Sequence, residues 1–502
     1  AGLAGLHAPI ALRVGGHGTW HIWDGSAQGS LGGHKIVDLG LGVRDGRYSL
    51  GGTLAPSTML HGKLQRLTAP SIKLLGTATL AERRLNGRLN LASPALQFAA
   101  AGTVDLAQGS FDQLSLDAKL LKPPALFPNM TGRDVHLHAL LNGPYGKFAF
   151  RYALASPHIA FDNTGFDNIR ATGEGHWSHA PVALPIRLQA QQVTGVGTVA
   201  GGILRNLSVA GVLRVDAKTL VGQDLALNSD KLKGKLQLRI DLVSGRYDVA
   251  IAGGLARYLI PGLGIVDVMT KVTVLPGANG VGTVIAGTGQ AIVRRFDNAF
   301  LASLAGGNPR LDTRLVRTPD GIMHFSNLVL TGPAIRITGA GIRRRDGTFQ
   351  FQGTGRQGTY GTFKLALDGQ IDHPKVQLLL DRPVQALGLT QVALNLDPVT
   401  EGFQFRAAGG SAVGAFRANG LIRTAPGQPT AIEVADLAVT GTHAKGRLVS
   451  GPGGFTGRLD LAGGGIGGSI GFAPQGTLQR IEPHITLASA TIATAQPMSV
   501  RR

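Results

Sequence analysis

Between Gly321 and Pro383 the large apolar residues alternate with polar or small ones, segment after segment. Ile335 and Ile337 flank Arg336, and Phe349 and Phe351 flank Gln350. Phe363, Leu365 and Leu367 are separated by Lys364 and Ala366, and Val376, Leu378 and Leu380 continue the row. Successive side chains of a strand point to opposite faces, so a period of two collects these groups on one face. Arg345-Asp346-Gly347, Asp368-Gly369 and His373-Pro374 supply turn chemistry between the segments. The predicted unit is a short antiparallel strand with one apolar face, repeated.

The same pattern holds along most of the chain. Arg44-Asp45-Gly46 with Tyr48, Ser244-Gly245 with Tyr247, and Arg345-Asp346-Gly347 with Phe349 each read as a glycine turn opening an alternating strand. The self-similarity is loose, without the fixed period of a solenoid. Lys122–Gly132 and Ala180–Pro185 are Pro-rich breaks. Two stretches predict helix: Leu255–Ile265, broken at Pro261, and a segment capped by Asp297 that runs to Ala305 and ends at Gly306-Gly307. In the second, Phe300, Leu301 and Leu304 would share a side.

Two helices cannot cover a sheet made from the rest, and a sheet with one apolar face must fold on another, close, or accept apolar material. Roughly 30 strands at ~4.8 Å spacing would span on the order of 140 Å, and open twisted sheets of that size curl. The expectation is all-β: an elongated, rolled antiparallel sheet forming a groove, with many short strands and one or two short helices. Along the chain this gives groove segments over 1–121 and 122–254, strands with helical insertions over 255–310, the clearest groove over 311–480, and a terminal strand or tail over 481–502. The expected lining is Ile335, Ile337, Phe349, Phe351, Phe363, Leu365, Leu367, Val376, Leu378 and Leu380; the bland alternative is that they form an ordinary closed core.

Composition sharpens this picture. The 502 residues hold 74 glycines and are 43% hydrophobic, too apolar for disorder. Glycine at this density argues for many short strands joined by tight turns. Only 5% are aromatic, so the interior is aliphatic, which suits a smooth apolar surface. The absence of cysteine excludes disulfides, thiolate metal sites and a cysteine nucleophile. A net charge of +19 suits an anionic partner, although an Arg-favouring genome would also produce it, and no basic cluster exceeds Arg343-Arg344-Arg345. The start Ala1-Gly2-Leu3 carries no signal peptide or anchor, and the apolar run from Leu255 to Met269 is too interrupted to span a bilayer, so the chain reads as a segment of something longer.

Motifs with catalytic mechanics fail on context. Gly353-Thr354-Gly355-Arg356-Gln357-Gly358 matches a dinucleotide fingerprint, but a strand follows where a helix is required. Gly467-Gly468-Ser469-Ile470-Gly471 matches a nucleophile elbow without the helix behind it. His17 with His21, and His176 with His179, lack a third metal ligand. The sequons at Asn129 and Asn206 mean little without a secretory context. Apolar and basic residues fall on opposite strand faces, against stacking on nucleic acid. No enzyme, cofactor or metal site is expected.

The phrases Gly361-x-Phe363-x-Leu365-x-Leu367-Asp368-Gly369 through Leu380-x-Arg382-Pro383, and Gly402-Phe403-x-Phe405-x-Ala407-x-Gly409-Gly410-Ser411, resemble the TamB and AsmA-like (YdbH-like) proteins of Gram-negative bacteria, in particular the alphaproteobacterial branch of TamB. The resemblance implies a β-taco groove in a periplasmic protein anchored in the inner membrane, although this piece has no transmembrane segment. It implies phospholipid acyl chains as cargo, carried between inner and outer membrane, and an outer-membrane barrel assembly protein as a partner. Two alternatives stay open: a scaffold for outer-membrane protein translocation and assembly, and a β-solenoid adhesin or passenger.

Overall fold

The computed structural model of the chain describes residues 9–196, 202–260, 263–277, 283–297, 302, 304–371, 373–383, 388–424, 428–451, 454–476, 478–492 and 498–501. Among them, 34 strands hydrogen-bond into one antiparallel sheet, and Ser489–Ile492 pairs with Met498–Arg501 in a separate ribbon. The large sheet is not closed into a barrel. Among the described residues its first strand, Ile10–Gly18, pairs only with Ile22–Leu31, and Leu478–Leu487 only with Ile466–Gln475. The all-β antiparallel expectation is met.

Most neighbours are consecutive hairpins, as tight turns dictate. Arg44 pairs with Arg47 around Asp45 (φ +46°) and Gly46 (φ +77°), the two left-handed positions of a type I′ turn. Bulges interrupt the ladder at intervals. Asn327 (φ +49°) is the extra residue between Phe325, opposite Gly341, and Leu328, opposite Gly339. Gln391 (φ +47°) marks another, where the partners of Thr390 and Ala393 are Gly410 and Ala408. Each bulge bends its strand and raises the local twist.

The helix expected over Leu255–Ile265 is corrected. Tyr247–Ile260 and Gly264–Pro276 are strands, and Leu255 stands opposite Leu232. Arg257 takes φ +52° and its N–H donates to Asp267 Oδ1 at 2.7 Å. The inserted residue shifts the inward phase from Leu255 to Tyr258 and Ile260. Two alternating halves out of phase therefore read as one continuous apolar run.

Of the second expected helix, Ala302, Leu304 and Ala305 are helical, and Gly306 (φ +69°) closes the turn with its N–H on the Ala302 carbonyl. Phe300 and Leu301 lie outside the described residues. The helix Gly62–Thr68 was not foreseen; Arg66 Nε donates to the Ala125 carbonyl of the short helix Pro123–Leu126, which occupies the first Pro-rich break. Among the described residues no helix is long and apolar enough to cross a membrane.

Packing divides the chain into two compact units. The first comprises Ala1–Ala256, Met269–Gly287 and Thr318–Gly321; the second comprises Arg257–Val268, Thr288–Arg317 and Ile322–Arg502. The chain exposes 29322 Å² of surface. Two compact bodies of half its mass would together expose about 21,000 Å².

Candidate functional site

The hydrogen-bond register of the second unit fixes which side chains share a face, because directly opposed residues point the same way. Leu330, Ile337, Gly355, Phe363 and Leu380 stand opposite one another in turn across five strands. A second row runs Gly339, Gly353, Leu365, Leu378, Leu394, and a third runs Gly341, Phe351, Leu367, Val376, Leu396. Phe349 lies opposite Arg343 and Gly369, and Ile335 opposite Gln357. Register and alternation together bring all ten expected lining residues to one face.

That face extends further than the sequence reading took it. From Leu394 the row continues through Ala407, Ala418, Leu437, Ala444 and Leu461. Gly468 and Ile485 follow on the last strands, where Ile481, Ile485 and Leu487 are exposed. The alternation Val392-Ala393-Leu394-Asn395-Leu396 was the available signal for this extension.

The ten residues divide by cover. Ile335 and Phe363 are buried, at 7% and 8% exposed, in a cluster with Ala305, and Leu304 and Phe296 pack against it. The turn at 302–305 thus plugs one corner of the face, and Gln357 Nε2 donates to the Leu304 carbonyl at 3.4 Å. Ile337, Phe349, Phe351, Leu365, Leu367, Val376, Leu378 and Leu380 are half-buried. Of these, Ile337, Leu365, Leu378 and Leu380 pack against that cluster, whereas Phe349, Phe351, Leu367 and Val376 lie beyond it. At the far strand ends Arg343 closes the face, its guanidinium 5.7 Å from the Phe349 ring centroid.

Glycine shapes the floor. A Cβ at Gly339 or Gly353 would fall 2.7 Å from Phe351 Cζ, and one at Gly355 would fall 2.5 Å from Phe363 Cζ. The tips of the rings therefore occupy the space that a side chain at these glycines would need. Phe405 covers Gly420 in the same way, with 2.7 Å to a Cβ there. Many glycines that the composition assigned to turns sit instead in strand interiors beneath an aromatic ring, where no side chain would fit.

The opposite face is laced by ion pairs. Arg344 meets Asp368 at 2.8 Å, and Asp397 is held by Lys375 at 3.1 Å and Arg406 at 2.6 Å. Lys375 first, then Arg406, keeps the Asp397 carboxyl below its ordinary range; Arg344 does so for Asp368, and Arg423 for Glu433. These carboxylates remain ionised near neutral pH and fix the face as wet.

Among the described residues the candidate motifs lack the arrangements their mechanisms require. Gly353 and Gly355 of the dinucleotide-like motif are interior to Phe349–Gln357. Ser469 is 5% exposed and stands between Asp460 and His484 in register, whereas a proton relay needs the imidazole in the middle. In the first unit His158 Nδ1 lies 2.6 Å from Asp167 Oδ1, yet the buried Ser156 hydroxyl is 2.6 Å from the Arg133 carbonyl and engaged there. His17 sits in the strand Ile10–Gly18 and His21 lies 3.8 Å from Asp45. Among the described residues no three His, Asp or Glu side chains converge as metal ligands.

No protein-family model, no curated protein and no solved structure matches this chain.

Proposed function

We propose that the apolar face of the second unit shelters lipid acyl chains, and that the chain is a non-enzymatic segment of a lipid-transfer bridge between two membranes, located in the periplasm of a Gram-negative bacterium and belonging to an inner-membrane-anchored protein. The observation that carries this reading is the single-faced, half-buried set from Ile337 to Leu380, against whose Ile335–Phe363 corner Phe296, Leu304 and Ala305 pack among the described residues. An acyl chain of about 16 methylenes costs roughly 13 kcal/mol to hold in water. A continuous aliphatic floor removes that cost without any residue of special reactivity, which accords with catalytic motifs that lack their required context. Aromatic rings that fill the space above glycines leave few gaps in such a floor, so a chain can slide along it rather than seat in one pocket.

Native mass spectrometry of the gently purified chain tests this reading. The expected spectrum carries adducts of phospholipid mass that delipidation removes and added phospholipid restores. A spectrum of bare protein that stays bare after incubation with phospholipid would contradict the conduit.

A further inference from the structure

On the polar face of the second unit two pairs of arginines stand directly opposed: Arg447 with Arg458, where Asp460 meets Arg458 at 2.7 Å, and Arg336 with Arg356. Arg336 and Arg356 are directly opposed across neighbouring strands, an arrangement of like charges that destabilises a sheet. Among the described residues no carboxylate pairs with either guanidinium, in contrast to Arg344, Arg406 and Arg423 nearby. The next row on the same face adds Lys364, opposite Thr354, and Thr354 is opposite Thr338 with the two hydroxyls 3.5 Å apart. Thr362 faces Arg356 in turn.

These groups line one concavity of about 580 Å³. Its single carboxylate, Asp381, accepts a hydrogen bond from Gln391 Nε2 at 2.6 Å. Three cations against one carboxylate leave two positive charges, set among hydroxyls that can donate. We infer that this concavity binds a phosphate group, a monoester or diester, with the Arg336 and Arg356 guanidinium forks on its oxygens and Lys364 completing the charge. A tetrahedral anion presents several acceptor oxygens to converging donors, which two forks and an ammonium match better than they match a lone carboxylate. The opposed arginines then have the counter-anion that the sequence does not supply from an acidic neighbour. The site lies on the face opposite the apolar floor and stands whether or not that floor carries lipid.

The test compares the full chain with Arg336→Gln/Arg356→Gln, and with Arg417→Gln/Lys445→Gln, which removes the same charge from the same face elsewhere. Isothermal titration with inorganic phosphate is expected to show binding that weakens at least about tenfold in the first variant and stays unchanged in the second. The first variant should melt no lower than the parent, because it removes opposed like charges. Flotation with vesicles of phosphatidylglycerol, against phosphatidylcholine, separates the sources. Capture by phosphatidylglycerol vesicles without binding of free phosphate assigns the phosphate to a lipid headgroup, provided the first variant loses it. The site is overturned where the binding seen survives Arg336→Gln/Arg356→Gln or falls equally in both variants, or where the parent binds neither phosphate nor phosphatidylglycerol vesicles.

Discussion

Leu367→Asp is expected to leave a folded protein that no longer carries lipid. Leu367 is half-buried between Phe351 and Val376 on the apolar face, in the row away from the cluster of Ile335, Phe363 and Ala305. On an open face the new carboxylate keeps its water when no lipid is present, so the stability cost is mainly the lost leucine packing, about 1–2 kcal/mol. In a closed core the same carboxylate would be stripped of water with no partner, a cost of several kcal/mol that would unfold the region. An acyl chain passing Leu367→Asp meets that desolvation cost directly, so transfer should fall steeply. Gln352→Asp, on the polar face opposite Ala366, is the control and should change neither property. Thermal melts by circular dichroism, with transfer of labelled phospholipid between vesicles, separate the cases. A Leu367→Asp protein that melts normally and transfers lipid at the parent rate would remove the conduit from this position.

The largest stability effect is expected from Gly355→Val. Its Cβ would stand 2.5 Å from Phe363 Cζ and 2.7 Å from the Arg336 carbonyl oxygen. The ring can swing aside, but the carbonyl belongs to the ladder and cannot. Overpacking of this kind costs about 1–3 kcal/mol, and the added γ-methyl groups place Gly355→Val towards the upper end. Urea denaturation should show a lower midpoint with an unchanged slope. The ring contributes part of the clash, so Phe363→Ala should cost less in the Gly355→Val background than alone. Strictly additive losses would mean that Phe363 does not rest on Gly355.

How much of this was legible in the sequence depends on what each feature required. Period-two alternation was enough to place Ile335 through Leu380 on one face, because it needs only neighbouring positions along a strand. The bulge at Arg257 was not legible: the residue that shifts the phase is held by Asp267, ten positions away, and the run Leu255–Ile265 looks apolar throughout. The helix Gly62–Thr68 is seven residues long with no side-chain cap, too short to leave a period. Glycines were credited to turns because their density is visible in one dimension while the Phe351 and Phe363 rings above them are cross-strand facts. For the same reason Arg336 and Arg356, twenty positions apart, became an opposed pair only once the register was known.

The central claim is that acyl chains lie on the apolar face of the second unit. A photo-reactive benzophenone side chain placed at Leu367, or in turn at Gln352, tests it most directly when the protein is irradiated with radiolabelled phospholipid. The account predicts lipid label on the protein from position 367 and none from position 352, which lies on the opposite face. Equal labelling at both positions, or label at 352 alone, would contradict it.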